Sequence, residues 1–511
     1  MDNHTEDGFI GWVTGSNDRG TLDIIWSSTL AIFLCTWTAI CLNLPHPEDT
    51  KFDMFCRRAK WMFWAIVGPE LVLSVAIGQY ACARRSVKRF QRHQMRKKTA
   101  QSEEQSSSRG STSDEELSTR GQAVPDSGGE PHASERVPLS QNQLGAEGTS
   151  PNQGKKSDKK PPATWTLRHG FFADMGGMLL KPRNSTPFVI NSRQLAYLVE
   201  KGYLDRPDIT ADEIWDKSKA DTLARIVTLL QAVWVMIQLL GRAVLRLPTS
   251  TLELSTGAIV FCTFGTFICW LDKPSDVHRG IVLETGATTA EILHEAGDAA
   301  ALPYRHTPLD FVAKESFTCG YDVMGFFGLR FDSQKRPLRR FPDDRFPDIG
   351  TLEKFVLFCV TTAFASFHLI GWNFAFPTRM ELILWRVSSS IITGVTVFFW
   401  LFETIAARHR FGRWDPYLVW LGLKKEVRPL ADLEAGGSRT RQDTIGRQDA
   451  FEKEQKKAKP ILLWEIGLLL PLVLMYAVAR GYMIVEAFIG LRSLPVGVYT
   501  TFSVADILPH L

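Results

Sequence analysis

The chain has 511 residues, of which 45% are hydrophobic and 22% are charged, and its net charge is +4. Its 15 Trp and 32 Phe against 9 Tyr are typical of a lipid-facing or deeply buried architecture, which argues against a compact soluble protein and against a wholly disordered chain. The small positive charge favours no class of partner, because the charged residues are concentrated in a few runs.

Seven apolar segments are long enough to cross a membrane, since about 20 helical residues span a hydrocarbon core of roughly 30 Å. The shortest are the third and the sixth. The sequence therefore predicts an all-α fold, a polytopic integral membrane helix bundle of about seven spans joined by disordered cytoplasmic linkers. The predicted spans are 24–44, 61–82, 226–241, 254–271, 355–376, 387–402 and 461–479.

A strongly basic flank follows the second predicted span, with eight Lys or Arg residues among positions 83–98. Basic residues beside a span indicate its cytoplasmic side. Seven crossings would place the N-terminus, this flank and the large loops in the cytoplasm, and the C-terminus on the other side. Four basic residues disagree with this orientation, namely Lys51, Arg57, Arg58 and Lys60.

The same flank is a candidate lipid-binding surface. Each Lys or Arg near an anionic membrane surface contributes roughly 1 kcal/mol to binding. The sequence predicts contact with the bilayer, and the cluster could bind anionic lipid here, although a role that only sets topology is favoured. Its members are Arg84, Arg85, Lys88, Arg89, Arg92, Arg96, Lys97 and Lys98.

Polar segments separate the spans. Residues 91–163 contain no Phe, Tyr or Trp and are predicted to be disordered, because they bury too little apolar surface to offset their ordering entropy. The predicted organisation is a segment with two spans (1–82), the basic flank and disordered linker (83–164), an ordered polar segment (165–221), two spans (222–271), an ordered loop segment (272–354), two spans (355–405), a polar linker (406–460), and a last span with an interfacial C-terminal helix (461–511).

Local patterns predict short helices in the ordered polar segments. One covers 192–201, and another covers 288–296. Thr210 and Glu213 match a capping box, which predicts a helix running on into the third span. Residues 482–491 place apolar side chains on one helical face and are too short to span, so they predict an interfacial helix.

Two titratable residues fall deep inside predicted spans. Glu70 is nine residues from the start of its span, and His368 is eight residues from the end of its own. These offsets correspond to roughly 13.5 and 12 Å from the same membrane face. Ionisable groups at that depth usually face a bundle interior or a water-filled path. We therefore predict that Glu70 and His368 face each other or share a cavity as a candidate intramembrane polar site.

Motifs for catalysis and cofactors are weak throughout. The eight Cys residues form no C-x-x-C pair, and His294 lacks a second histidine at i+4, so the sequence predicts no metal site. Neither a phosphate-binding glycine motif nor a G-x-S-x-G motif occurs, which predicts no cofactor and assigns no catalytic residue. The arginines of 336–345 alternate with aspartates, so a loop with Arg–Asp pairs is favoured over a nucleic-acid interface.

Several sequence stretches resemble a family of predicted multi-pass membrane proteins from filamentous and mushroom-forming fungi. The resemblance covers nearly the whole chain apart from the two linkers, and it implies no activity or site residue, because no activity is assigned to that family. The stretches that carry it are GTLDIIWSSTLAIFLCTW (20–37), Pro69-Glu70, HGFFADMGG (169–177), DKSKADTLARIVTLLQAVW (216–234), LPTSTLE (247–253), DKPSDV (272–277), RFPDDRFP (340–347), LWRVSS (384–389), LRSLPVGVYTTF (491–502) and ILPHL (507–511).

Two functional classes compete at this level. Titratable groups inside spans favour a channel or transporter, although a static structural role for a hydrogen-bonded pair explains them equally well. The large polar segments favour a receptor or scaffold that binds partners in the cytoplasm. An intramembrane or lipid-modifying enzyme is a weaker alternative, because no nucleophile–base pair is evident in the sequence.

Overall fold

The computed structural model describes residues 9–13, 19–116, 164–218, 222–300, 304, 306–312, 336–343, 349–410 and 463–501. Helices dominate these residues, and six of the described helices are long and apolar enough to cross a membrane. A seventh apolar unit is a pair of helices bent by 112°. The predicted all-α membrane bundle is thus confirmed, and the protein is a multi-pass membrane protein.

The helices are numbered here in chain order. They are α1 (Thr21–Ala39), α2 (Lys51–Val67), α3 (Pro69–Glu116), α4 (Leu167–Asp174), α5 (Ser192–Glu200), α6 (Ala211–Asp216), α7 (Thr222–Val244), α8 (Thr251–Cys269), α9 (Thr289–Ala296), α10 (Thr351–Phe367), α11 (Arg379–Arg410) and α12 (Leu463–Ile489). The strands are β1 (Phe9–Ile10), β2 (Met178–Lys181), β3 (Phe188–Val189), β4 (Ile281–Glu284) and β5 (Leu494–Pro495).

The predicted span 61–82 is not one continuous helix. The chain leaves helical geometry at Gly68, and Pro69 begins a new helix directed 112° away from α2. Proline causes this break, because it has no N–H for the helix ladder and because it pushes the preceding residue out of the α conformation. The sequence analysis treated this segment as a single crossing.

The helices α2 and α3 form a re-entrant hairpin, since both arms lead to the same end of the bundle. That end, named here the polar end, carries residues 164–216 and 272–300. Arg57 of α2 pairs there with Asp343 at 2.7 Å, and α3 packs against Trp165 through Phe90. The hairpin therefore enters and leaves the bundle at one end.

Both termini of the described chain lie at the opposite end, named here the terminal end. Strand β1 pairs with β5 in an antiparallel arrangement, with Phe9 opposite Pro495. The Tyr499 hydroxyl also contacts Thr21 Oγ1 at 3.2 Å. The predicted orientation, with the N-terminus beside the basic flank and the C-terminus across the membrane, is therefore wrong. Counting the re-entrant hairpin as a crossing caused the error.

The polar end has a folded core of its own. A three-stranded sheet of order β3-β2-β4 pairs β2 with β3 antiparallel and with β4 parallel, although the sequence showed no clear strand pattern. Helices α4, α5, α6 and α9 surround the sheet. Side chains of Phe172, Met178, Leu180 and Leu195 are almost fully buried in this core. Burial of that apolar surface stabilises the unit outside the membrane.

Three local predictions differ from the structure. The Thr210–Glu213 capping box is present, but α6 ends at Asp216 instead of running on into the next span. Helix α3 extends to Glu116, so the first part of the tract predicted as disordered is helical, and 117–163 lies outside the described residues. Residues 482–489 continue α12, where Met483 and Ala487 are buried, so the predicted interfacial helix is wrong.

A buried lysine connects the bundle to the polar end. The Lys273 ammonium donates to the Cys41 carbonyl at 2.5 Å and to Gln79 Oε1 at 2.7 Å, and it lies over the Trp270 ring. Burial lowers the pKa of Lys273 to about 8. Lys273 follows α8, Cys41 follows α1, and Gln79 belongs to α3. The lysine therefore holds these three parts of the chain together.

The topology can be tested with epitope tags at each terminus and a third tag inserted within 117–163. In sealed membrane vesicles, we expect the two terminal tags to have the same accessibility to protease, and the internal tag to have the opposite one. Terminal tags on opposite sides would contradict the re-entrant hairpin.

Helices α3 and α4 approach closely at Gly170. A Cβ atom added there would lie 2.6 Å from Ser86 Oγ and 2.9 Å from the Ala83 Cα. We expect Gly170→Ala to destabilise the purified protein by about 1–3 kcal/mol, because these contacts force the backbones apart. Gly286→Ala is the matched control, since a Cβ there meets nothing within 4 Å. Equal thermal unfolding midpoints for both variants would contradict the close packing.

Candidate functional site

Arg480 lies inside α12 and is 2% exposed. Its Nε donates to the Val67 carbonyl at 3.0 Å, and its Nη2 is 3.5 Å from the Ile66 carbonyl. Both carbonyls belong to the last turn of α2, where the break at Pro69 removes their usual helical partners. A cation at a helix C-terminus also interacts favourably with the helix dipole. Arg480 therefore caps α2 inside the bundle.

Glu70 occupies the complementary position at the tip of the hairpin. It lies in the first turn of α3, where a carboxylate interacts favourably with the helix dipole. The Tyr476 hydroxyl donates to Glu70 Oε1 at 2.5 Å. Tyr476 and Arg480 are four residues apart in α12 and thus share one face of that helix. The two arms of the hairpin are consequently held by one side of α12.

His368 joins the same cluster from a third element. It follows the last residue of α10, begins a 3-10 turn and has no exposed surface. Its Nε2 lies 2.7 Å from Arg480 Nη1. Because a guanidinium can only donate, Nε2 must accept, which assigns a neutral imidazole with its proton on Nδ1. A second proton on His368 would break the contact with Arg480.

Aromatic side chains pack around Arg480 and His368. The Arg480 guanidinium lies 5.2 Å from the centre of the Phe364 ring, and Phe364 meets His368 edge to face. The Trp385 indole donates to the His368 carbonyl at 3.2 Å. Such packing buries Arg480 and His368 and strengthens the hydrogen bond between them, whereas Glu70 and Tyr476 are partly buried.

Two buried polar atoms of the cluster have no hydrogen-bond partner among the described residues. They are Glu70 Oε2 and His368 Nδ1. Buried polar atoms are nearly always paired, so each such atom requires an explanation, for example a ligand or proton-transfer role. The free carboxylate oxygen can accept a proton or a cation, whereas the imidazole N–H is close enough to the backbone carbonyls of Phe364 and Ala365 to interact with them. Glu70 Oε2 is therefore the atom at which the cluster can bind a proton or a cation.

The structure brings the two predicted residues, Glu70 and His368, into one cluster but not into direct contact. Within the described chain, no hydrogen bond joins them; Tyr476 contacts Glu70, and Arg480 contacts His368. The sequence analysis missed both of these residues: it ended the last span one residue before Arg480, and it did not weigh Tyr476, which lies inside that span. The apolar sequence that resumes at Gly481 was the available signal.

The basic cluster continues along α3 beyond the bundle. Arg84, Lys88, Arg92, Arg96 and Lys98 are exposed, and the side chain of Lys97 lies outside the described residues. Arg85 donates to Cys82 Sγ at 3.2 Å. Arg89 is half-buried and close enough to Glu200 and Asp174 for electrostatic interaction, so this member of the cluster faces the folded unit of the polar end.

Other sequence motifs have structural contacts instead of ligands. The Glu295 carboxylate contacts Lys201 at 3.0 Å and the Tyr203 hydroxyl. Arg340 contacts Asp49 at 3.3 Å and Asp343 at 3.7 Å, which agrees with the predicted Arg–Asp pairs. In the described ranges, no group of three or more His, Cys, Asp or Glu residues could hold a metal ion.

Taken together, the spans and the buried cluster define a multi-pass membrane protein with a polar site inside its bundle. A model for a family of unknown function (DUF8562) matches residues 2–121, 141–295 and 351–511, and the chain belongs to this family. No curated protein matches the chain. No solved structure matches it either.

Removal of the guanidinium should destabilise the whole cluster. We expect Arg480→Met to lower the free energy of unfolding by about 3–5 kcal/mol, since it leaves two carbonyls and Glu70 without their buried cation. Combining it with Glu70→Gln should cost less than the sum of the single changes, because the lone buried charge is then absent. Thermal unfolding in detergent measures both effects.

Arg386→Met is the matched control for this experiment. Arg386 is partly exposed and donates to the Trp372 carbonyl at 2.9 Å, which water can replace, so a loss below about 1 kcal/mol is expected. Similar losses in Arg386→Met and Arg480→Met would contradict the capping role of Arg480.

Proposed function

We propose that the protein is a transport protein, a channel or transporter, in which Glu70, Tyr476, Arg480 and His368 form the intramembrane site. The observation that carries this proposal is the re-entrant hairpin, whose tip presents a carboxylate inside the bundle. Helices that break at membrane depth are tolerated where they are buried in protein or line a cavity, and in many transporters they form the ion and substrate sites.

Glu70 is the group that carries a proton in the proposed cycle. Protonation of Glu70 removes the negative charge near Arg480, and this weakens the electrostatic attraction between the hairpin tip and α12. Protonation of His368 would break its hydrogen bond with Arg480, because a doubly protonated imidazole cannot accept from the guanidinium. Each event changes the charge balance at the tip, which is what a proton-coupled step requires.

The proposed orientation places the polar end in the cytoplasm. Lys51, Arg57, Arg58 and Lys60 now belong to the same end as the basic cluster of α3, which removes the disagreement within the predicted orientation. Both termini would then lie on the non-cytoplasmic side. The exposed members of the basic cluster would contact anionic lipid.

The fungal origin implied by the resemblance stays a prediction.

A receptor or scaffold is the second candidate, and the folded core of the polar end favours it. That unit contacts both arms of the hairpin, through Arg57 and Asp343 on one side and Phe90 and Trp165 on the other. A partner bound to it could thus be sensed inside the bundle. No observation within the described residues favours the third class, an intramembrane or lipid-modifying enzyme.

Reconstitution into liposomes tests the transport proposal. With a pH-sensitive dye inside the vesicles and imposed gradients of protons, alkali cations and chloride, we expect a flux that falls at least tenfold in Glu70→Gln. Glu48→Gln is the control, because Glu48 is exposed at the polar end. Tyr476→Phe should reduce the flux, whereas Tyr80→Phe in α3 should not.

Folded protein without flux across the whole panel would overturn the proposal and favour the scaffold. An undiminished flux in Glu70→Gln would leave transport standing and remove the cluster as its site.

A further inference from the structure

Helix α7 carries two glutamines at membrane depth. Gln231 follows the start of the helix at Thr222 by nine residues, and Gln238 precedes its end at Val244 by six. At 1.5 Å per residue, the two positions lie roughly 13.5 and 9 Å from the respective ends of the helix. Because the helix is about as long as the hydrocarbon core is thick, both side chains lie within the core.

Helix α7 lies at the edge of the bundle. It packs mainly against α1 and α8, and it has the smallest buried share of the six described spans. Both glutamines are partly exposed. Val227 and Trp234 are each 47% exposed and lie on the same face as Gln231, one turn before it and one turn after it. The two amides therefore border hydrocarbon at the outer side of the bundle.

Neither amide has a hydrogen-bond partner in the part of the chain that the structure describes. The inward side of the same helix differs, because the Thr228 hydroxyl donates to the Ala224 carbonyl at 2.8 Å and lies 3.0 Å from the Thr38 hydroxyl. Lipid tails offer neither donors nor acceptors, so an unpaired amide at this depth is costly. The amides of Gln231 and Gln238 thus require a partner from another polypeptide.

We propose that α7 forms the interface of a parallel homodimer, in which Gln231 and Gln238 each pair with the same residue of a second copy of this chain. A primary amide both donates and accepts, so two identical amides can form a reciprocal pair across a two-fold axis. Two copies with the same topology place their glutamines at equal depths. A different membrane protein would need polar groups at both of these depths.

The spacing of the side chains fits such a pair of helices. Residues seven apart stay on one seam when two helices wrap around each other in a left-handed sense, which is the commonest packing of membrane helices. The seam has spacings of four, three and four residues, as the a and d positions of a coiled coil require. Its members are Val227, Gln231, Trp234 and Gln238.

The dimer proposal is independent of the proposed transport site. Helix α7 contributes no residue to the contacts around Arg480 and Glu70 that the structure describes. A protein that remains monomeric could therefore still transport through Glu70, and a dimer could form in a protein without transport activity.

Single-molecule photobleaching of the labelled full-length protein tests the proposal in liposomes over a range of protein-to-lipid ratios. We expect a dimer fraction that rises with protein density. The double variant Gln231→Leu with Gln238→Leu should raise the dissociation constant roughly tenfold or more, because leucine keeps the bulk of the side chain but removes the interhelical hydrogen bonds. Replacement by Asn at both positions keeps the amides and should retain most of the dimer.

The matched control changes two leucines on the other side of the same helix. Leu229 and Leu240 are 39% and 61% exposed, and each lies two residues from a glutamine, which places it on a nearly opposite face. Leu229→Ala with Leu240→Ala should leave the dissociation constant unchanged. Thermal unfolding in detergent verifies that each variant is folded.

Cysteine cross-linking tests the seam without any change to the glutamines. Trp234→Cys should form an intermolecular disulfide on mild oxidation in excess of the native chain, because equivalent seam positions approach within disulfide distance. Leu240→Cys should form none in excess of the native chain. If the double leucine variant does not fold, this comparison decides the question.

Three results would overturn the homodimer: monomers at every protein density, an unchanged dissociation constant in the folded double leucine variant, or equal disulfide yields from Trp234→Cys and Leu240→Cys.

Discussion

A helix that ends inside a membrane leaves backbone carbonyls without donors, and nothing in the lipid can satisfy them. The end of α2 at Val67 creates this problem, and Arg480 solves it with a guanidinium that reaches the Val67 carbonyl and, more distantly, that of Ile66. A hydroxyl would satisfy one carbonyl only and a side-chain amide at most two, whereas a guanidinium offers five N–H groups in a fixed plane and a charge of the sign that a helix C-terminus favours. The re-entrant hairpin depends on this one side chain.

The same guanidinium also contacts the side chain of His368, at the point where α10 passes into a 3-10 helix. Arg480 therefore joins α12 to the end of α2 and to the end of α10, and its positive charge must itself be compensated. Glu70 lies in the first turn of α3 and adds a negative charge near Arg480 without an ion pair at contact distance. The polar site is thus a consequence of how the break between α2 and α3 meets α10 and α12, and its unpartnered Glu70 Oε2 lies at that meeting point.

Much of the bundle is predictable from the sequence, because apolar length and composition determine which segments can cross lipid. Six predicted spans coincide with long helices, and Glu70 and His368 stand out as titratable groups within apolar runs. Arg480 does not stand out in the same way. The spans are predicted as uncharged runs, so the predicted span ends just before this arginine, although α12 continues to Ile489. The break at Pro69 is visible in the sequence, but its 112° bend depends on tertiary contacts. Counting the hairpin as a crossing then put the N-terminus on the wrong side in the prediction. The disagreement of Arg57 and Arg58 with the predicted orientation was a sign of that error.

Helix α2, the first arm of the hairpin, is held by contacts near both of its ends. These contacts connect the polar end to the polar site in the bundle. Arg57 near the start of α2 makes a bidentate contact with Asp343, while the last turn of the same helix is capped by Arg480. About ten helical residues, or roughly 15 Å, separate the two clamps, and a helix of that length moves as a rigid element. A displacement of the loop that carries Asp343 would therefore be transmitted to the carbonyls that Arg480 holds. Transport and sensing are then compatible uses of one architecture, because both act on the position of the hairpin tip.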